Sequence, residues 1–119
     1  MYVLELPTGK KIEMKWGTWA MKRTCELRGM SLMDLLTTLE KGSFDLSFII
    51  AIMQSCAEYP QYKAAGKHIQ ISDIEVCEWI DECGGIGSEQ IQGVFKMMLE
   101  SMTATSAFPA KKESGSKKK

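Results

Sequence analysis

The chain has 119 residues, of which 45% are hydrophobic, and its 15 basic and 15 acidic side chains leave no formal net charge. This length favours a single domain, and the hydrophobic content is sufficient for a packed core, which excludes global disorder. The longest apolar run, residues 48–53, is far shorter than the roughly 20 residues that span a bilayer, so no membrane association is predicted.

The charge is unevenly distributed along the chain. Residues 1–110 carry 10 basic and 14 acidic side chains, whereas residues 111–119 carry five lysines and one glutamate. A mildly acidic body argues against a nucleic-acid-binding domain. The first residues lack the basic and apolar regions of a secretory signal peptide, so we expect a cytoplasmic protein.

Residues 2–15 predict a β-hairpin. Two short alternating segments, 2–6 and 11–15, flank the sequence Pro-Thr-Gly-Lys, which suits a turn. Val3, Ile12 and Met14 are the expected inner face.

Two amphipathic helices are predicted next, over residues 18–28 and 31–41. Thr18 is the expected cap of the first helix, whose apolar face is Trp19, Ala20 and Leu27, and Gly29 ends it. Ser31 and Asp34 form a capping pattern for the second helix. The stripe of the second helix is Leu32, Leu35, Leu36 and Leu39, and Gly42 ends it.

Three further helices are predicted over residues 44–58, 73–83 and 89–102. Ser43 opens the first of these, which is apolar around most of its circumference, and Pro60 closes it before a loop at 61–67. The next has the stripe Ile74, Cys77 and Ile80 and stops at two glycines. The last has the stripe Ile91, Val94, Phe95, Met98, Leu99 and Met102.

The predicted fold is therefore mostly α, with an N-terminal β-hairpin and about five short helices packed as one domain over residues 1–102. Residues 103–119 show no periodicity and end in AKKESGSKKK, which predicts a disordered, lysine-rich tail.

No residue pattern indicates catalysis, a cofactor or a metal. Phosphate-binding, dinucleotide-binding and serine-nucleophile motifs are absent, and the glycines are expected at helix ends. His68, the one histidine, lies in a loop without an evident partner and is expected at the solvated edge of the core. A metal site from His68, Cys77 and Cys83 has no familiar ligand spacing, and Glu78, Asp81 and Glu82 are expected to form a solvated face.

The four cysteines, Cys25, Cys56, Cys77 and Cys83, are expected to be reduced thiols. Their spacing is irregular, no CxxC motif occurs, and neither secretion nor small size requires a disulfide framework.

Six residues are candidates for contact with a partner protein. Trp19 and Arg23 are four residues apart, so the guanidinium is expected to be able to stack on the indole. Core filling is the favoured interpretation for the methionines and core anchoring for the tryptophans. A partner groove is the alternative, since methionine is frequent on surfaces that accept varied partner helices. The remaining candidates are Met97, Met98, Met102 and Phe108.

The order of these parts resembles the tail assembly chaperones of long-tailed bacteriophages, including the related family in gene transfer agents. Three stretches carry the resemblance, in family order. They are GTWAMKRTCELRGMSLMDLLTTL (17–39), SDIEVCEWIDECGG (72–85) and EQIQGVFKMMLES (89–101).

The resemblance implies a non-enzymatic protein of tail morphogenesis that binds the tape measure protein and helps to recruit tail tube subunits. It further implies a location in the bacterial host cytoplasm, from phage or prophage, and absence from the mature virion. Many family members have a second form extended by a programmed frameshift, for which the Lys117–Lys119 run is a candidate position. Self-association and the role of the tail remain open.

Two other functions remain as alternatives. One is a small helical adaptor or regulatory module, since such proteins show the same helix-capping residues and the same amphipathic spacing of apolar residues. The other, less favoured, is a nucleic-acid-binding protein that uses the basic tail.

Overall fold

The computed structural model describes residues 1–42 and 44–104, with side chains described as far as residue 102. It confirms a mostly helical chain that begins with a two-stranded antiparallel hairpin. The elements in chain order are β1 Tyr2–Glu5, β2 Lys11–Met14, α1 Thr18–Arg28, α2 Leu32–Lys41, α3 Leu46–Ala65, α4 Asp73–Glu82 and α5 Glu89–Ala104. Most of the predicted tail, and with it Phe108, lies outside the described residues.

The hairpin buries the predicted Ile12 and Met14, but Leu4 and not Val3 accompanies them. Leu4 pairs with Ile12 and Tyr2 pairs with Met14, so these four residues share one side of the two-stranded sheet. Leu4, Ile12 and Met14 are buried, whereas Val3 pairs with Glu13 on the other side and is exposed. The prediction that Val3 faces the core is therefore wrong, because the pairing register places it with the solvent-facing residues.

Helix α1 has the predicted bounds but a different cap and a different buried face. Its N-cap is Gly17, without a side-chain hydrogen bond, and Thr18 is the first helical residue. Ala20 and Thr24 are buried, while Trp19 and Leu27 are only half-buried. The inward face therefore includes a polar residue, which the apolar pattern alone did not indicate.

Helix α2 agrees more closely with its sequence pattern. The Ser31 hydroxyl accepts a hydrogen bond from the Asp34 N–H over 3.1 Å, as the capping pattern predicts. Leu35 and Leu39 are buried and Leu36 is half-buried. Leu32, at the start of the predicted stripe, is exposed.

Helix α3 is longer than predicted and contains Pro60 in its interior. It begins after Asp45, whose carboxylate accepts from the Phe48 N–H over 2.8 Å, and it ends at Gly66 in the left-handed conformation. Proline has no N–H to donate to the carbonyl four residues earlier, here that of Cys56. The Lys15 N–H, just after β2, donates to this carbonyl instead, over 2.9 Å. The prediction of a loop at 61–67 is therefore wrong for residues 61–65, where the helix continues because the freed carbonyl has this distant donor, and the loop begins only at Gly66.

Helices α4 and α5 bury faces that differ in part from the predicted stripes. In α4, Val76 and Trp79 join Ile80 in the core, whereas Ile74 and Cys77 are exposed. In α5, Met97 is buried beside the predicted residues, and Leu99 is exposed. Most of the α5 stripe is therefore confirmed, since Ile91, Val94, Met98 and Met102 are buried, whereas in α4 only Ile80 is. The deviations arise because several apolar spacings coexist in each helix and the neighbouring elements select between them.

Gly93 lies inside α5, contrary to the expectation that glycines mark helix ends. The Tyr2 ring packs against it, and the Tyr2 hydroxyl donates to the Gln90 carbonyl over 2.8 Å. A Cβ at position 93 would lie 2.4 Å from the Tyr2 Oη atom. The missing side chain therefore allows β1 to approach α5.

The core is one continuous apolar cluster that takes side chains from the hairpin and from α2 to α5, with Ala20 from α1. Among the described residues, no helix has both the length and the apolar character needed to cross a bilayer.

We predict that Gly93→Ala does not stabilise the protein. Helix propensity alone favours alanine over glycine by about 1 kcal/mol, but the new Cβ displaces the Tyr2 ring and breaks its hydrogen bond to Gln90. The expected net effect is a loss of about 1 kcal/mol, as for other overpacked sites. Urea unfolding followed by circular dichroism measures it.

The matched background is Tyr2→Ala, in which Gly93→Ala should recover the stabilisation of about 1 kcal/mol that helix propensity predicts. A stabilised Gly93→Ala single variant would contradict the role given to Tyr2.

Candidate functional site

The candidate site forms where α1 lies against the second half of α3. The two helices are antiparallel. Trp19 and Arg23 contact Glu58, whereas Thr24, which follows them in α1, contacts Ser55, which precedes Glu58 in α3. Trp19 and Arg23 are one helical turn apart, so both side chains point to the same place on α3. At that place lies the Glu58 carboxylate, which is 0% exposed.

Four groups surround the Glu58 carboxylate within hydrogen-bonding distance. The Trp19 indole donates to Oε1 over 3.3 Å, and the Arg23 Nε donates to Oε1 and Oε2 over 3.1 and 3.4 Å. The Ile71 backbone N–H donates to Oε2 over 3.3 Å, and His68 Nε2 lies 3.0 Å from Oε1. An ionised carboxylate only accepts hydrogen bonds, so Nε2 is the protonated ring nitrogen in this arrangement. The carboxylate has no unoccupied side.

Further buried polar groups of α3 support this cluster. The Gln54 side-chain amide donates to the Ile71 carbonyl over 2.8 Å, so both backbone groups of Ile71 are bound by side chains of α3. The Thr24 hydroxyl donates to the Ser55 hydroxyl over 3.0 Å, and Ser55 donates to the Ala51 carbonyl. Fully bonded polar networks of this kind orient the elements that they join.

The Glu58 carboxylate is not placed to act as a general base towards a ligand. Arg23 neutralises the Glu58 charge, and the four donors leave no lone pair directed at an outside group. A general base must reach the proton that it removes, and Glu58 reaches only its own partners. What the cluster does is hold the Trp19 and His68 rings in place; these rings meet edge to face with centroids 5.1 Å apart.

Beside the cluster lies a small cavity with aromatic walls, which we call the aromatic cavity. Its volume is about 210 Å³, and it is lined by Trp19, Glu58, Tyr59, Tyr62 and His68. The Tyr59 and Tyr62 rings are tilted by 34° with centroids 6.1 Å apart. A second depression, of about 260 Å³, adjoins it because both share Trp19 and Tyr59 as walls. The site therefore offers ring surfaces for an apolar group.

Two lysines lie over the rings of the aromatic cavity. The Lys22 ammonium is 5.1 Å from the Trp19 ring centroid, and the Lys15 ammonium is 5.0 Å from that of Tyr59. These are cation–π distances. The predicted stacking of Arg23 on Trp19 is therefore replaced by Lys22, because Arg23 is drawn to Glu58.

The candidate contact residues Met97, Met98 and Met102 are core residues in this fold, 8%, 0% and 1% exposed. Core filling, the favoured interpretation, is therefore confirmed, and the alternative of a partner groove on this face is wrong, because β1 and the remaining core cover that face of α5. Of the five candidates within the described residues, Trp19 and Arg23 lie together at the Glu58 carboxylate.

Sequence reasoning missed Glu58, Tyr59, Tyr62 and the contacts of His68. One signal was available, since Glu58 is a single acidic residue in an otherwise uncharged run from Leu46 to Tyr62. A charge on a buried helix face implies a partner. The sequence did not identify Arg23 and His68 as those partners.

The other charged and thiol groups do not assemble into a site. Within residues 1–42 and 44–104, no three potential ligands of a metal ion come together. Glu78, Asp81 and Glu82 are exposed. All four cysteines are free thiols, with Cys56 buried and Cys77 exposed.

No protein-family model, no curated protein and no solved structure matches this chain.

We predict that Glu58→Ala lowers the free energy of unfolding by about 3–5 kcal/mol, because it removes the buried acceptor of the largely buried Arg23 guanidinium and leaves it only the exposed Glu26 as a partner. Glu58→Gln, which keeps an acceptor but removes the charge, should lose less. The matched control is Glu26→Ala, since Glu26 is an exposed partner of Lys22 and Arg23 and its removal should leave the urea midpoint almost unchanged. Equal effects of Glu58→Ala and Glu26→Ala would refute the central role of Glu58.

We also predict a strong difference in thiol reactivity. Burial raises the pKa of the Cys56 thiol. The pKa of Cys25 is raised by burial and by the nearby Asp34 carboxylate, and the pKa of Cys83 by burial and by Glu82. The thiolate is the reactive form, so iodoacetamide at pH 8 should modify the exposed Cys77 first and Cys56 only after unfolding. Peptide mass spectrometry over time measures this order, and early labelling of Cys56 in the folded protein would contradict it.

Proposed function

We propose that this chain is a non-enzymatic tail assembly chaperone of the long-tailed phage or gene transfer agent type. In this role it binds the tape measure protein in the bacterial host cytoplasm, assists tail tube assembly and is absent from the mature virion. The proposal is carried by the ordered resemblance of three stretches of the chain to that family.

The boundaries of the three stretches support the proposal. Residues 17–39 run from the N-cap of α1 through Gly29 into α2, and residues 72–85 run from the Ser72 cap of α4 to the two glycines that follow it. Residues 89–101 lie within α5. The second stretch therefore spans one complete helix with both of its ends, while the first covers α1 with most of α2 and the third covers most of α5.

The chemistry of the described residues also favours binding over catalysis. The Glu58 carboxylate is fully occupied by its own partners. Several large apolar side chains are exposed instead, among them the adjacent Leu32 and Met33 at the start of α2. Exposed apolar groups are what a chaperone needs in order to cover apolar segments of an aggregation-prone protein.

Co-expression with the tape measure protein of the same gene cluster tests the proposal. We expect the two proteins to co-purify and the tape measure protein to become more soluble. Leu32→Ser with Met33→Ser should weaken capture, whereas the exposed polar change Thr37→Ser on the same helix should not. Absence of both co-purification and a gain in solubility would exclude the chaperone role.

Two further measurements separate the alternatives. The first compares the DNA affinity of the full chain with that of a variant that lacks residues 111–119, at several salt concentrations. A loss of strong, salt-dependent binding on deletion would favour a nucleic-acid-binding protein. The absence of a long coiled-coil gene beside this one would favour an adaptor module.

A further inference from the structure

The size of the aromatic cavity limits what it can accept. Pockets for cofactors and drug-sized ligands are about 300–1,000 Å³, whereas this cavity is about 210 Å³. Tyr62 lies at its edge and is 44% exposed, so the walls are open to solvent on that side. A single large side chain is the group that suits this volume.

The walls select an apolar group over a charged one. Glu58 is neutralised by Arg23, and both of its oxygens are bound by donors of the protein itself. Inside the cavity a ligand therefore meets mainly the rings of Trp19, Tyr59, Tyr62 and His68. Rings of this kind bind aromatic and aliphatic side chains by offset or edge-to-face packing.

The surroundings of the cavity are basic although the body of the protein is acidic. Lys15 and Lys22 lie over the Tyr59 and Trp19 rings. Lys63 is exposed one helical turn after Tyr59, and the exposed Lys67 precedes His68. Lys15 and Lys22 thus place two ammonium groups at the cavity, of which that of Lys22 is also paired with Glu26. Lys63 and Lys67 are close in sequence to the lining residues Tyr62 and His68.

We propose that the aromatic cavity is a docking pocket for one large apolar side chain, such as phenylalanine or leucine, carried by an acidic helical segment of a partner protein. The apolar side chain enters between Trp19, Tyr59 and Tyr62, and neighbouring carboxylates of the segment pair with the surrounding lysines. This inference deepens the proposed function and rests on it for the partner being a protein.

Two other occupants fit the same features less well. Cationic ligands favour aromatic walls, but the surrounding lysines repel them and Glu58 is already neutralised. Single-stranded nucleic acid uses stacked rings along a basic groove. Here the rings converge on one cavity instead of following a groove, so they offer a place for one group and not for successive bases.

The test is a titration of the full 119-residue chain against a fluorescein-labelled acidic helical peptide of about 18 residues, with one central phenylalanine. Fluorescence anisotropy measures binding. A peptide with alanine in place of the phenylalanine should bind about tenfold more weakly, as for a central anchor residue. Because both peptides carry the same charge, the lysine tail contributes equally to both.

Protein variants then locate the contact. Tyr62→Ala should weaken binding about tenfold, and Tyr62→Phe, which keeps the ring, should restore most of it. The control Ile74→Ala removes an apolar side chain that is 69% exposed on α4 and should have no effect. Lys63→Glu should weaken binding more than Lys41→Glu, which reverses an exposed charge at the end of α2. Circular dichroism verifies the fold of each variant.

The inference fails if the phenylalanine and alanine peptides bind equally, or if folded Tyr62→Ala and Lys63→Glu both bind like the wild type. Tighter, Tyr62-dependent binding of an oligothymidylate would instead assign the pocket to nucleic acid. Failure of peptide binding while the tape measure protein still co-purifies refutes the pocket alone. Peptide binding without that co-purification leaves the pocket and refutes the chaperone role.

Discussion

The buried carboxylate of Glu58 in α3 accepts hydrogen bonds from α1 and contacts the connection between α3 and α4, so it links three segments of the chain. Its partners come from α1, through Trp19 and Arg23, and from the connection between α3 and α4, through His68 and Ile71. Removal of a charge from water costs several kcal/mol, which good geometry and full hydrogen bonding offset. Because the donors come from both α1 and the 66–72 segment, the carboxylate couples the packing of these two segments on α3.

The hairpin is attached to the helices by two contacts that depend on unusual residues. Pro60 leaves the Cys56 carbonyl without an intrahelical donor, and the Lys15 N–H occupies it. Gly93 leaves room for the Tyr2 ring on α5. Proline and glycine both weaken an isolated helix. Here Pro60 provides the contact with the end of β2, and Gly93 provides the contact with β1. Lys15 also lies over the Tyr59 ring, so attachment of the hairpin contributes to the shape of the aromatic cavity.

These constraints explain why the candidate site has the character of a binding surface. Glu58, Arg23, Thr24 and Ser55 join α1 to α3 through hydrogen bonds, and the Trp19 and His68 rings that contact Glu58 line the aromatic cavity. The exposed apolar residues of α2 and the aromatic cavity suit different contacts. Leu32 and Met33 are flexible aliphatic side chains, whereas the cavity is lined by rigid rings with lysines close to them. The proposed chaperone function uses both, the first for broad apolar coverage and the second for selection of an anchor residue.

The number, type and order of the elements were determined by the sequence alone, because hydrophobic periodicity, the Ser31 and Ser72 caps and the left-handed glycines act within a few residues. Tertiary structure decided the rest. The Lys15 N–H allowed α3 to continue past Pro60, the hairpin register turned Val3 outward, and neighbouring elements buried Met97 rather than Leu99. The candidate site belongs to this second group: Trp19 and Arg23 reach Glu58 across 39 and 35 residues of chain. Local patterns carry no information on such pairs, since the energy of a buried charge depends on which distant donors the fold brings to it.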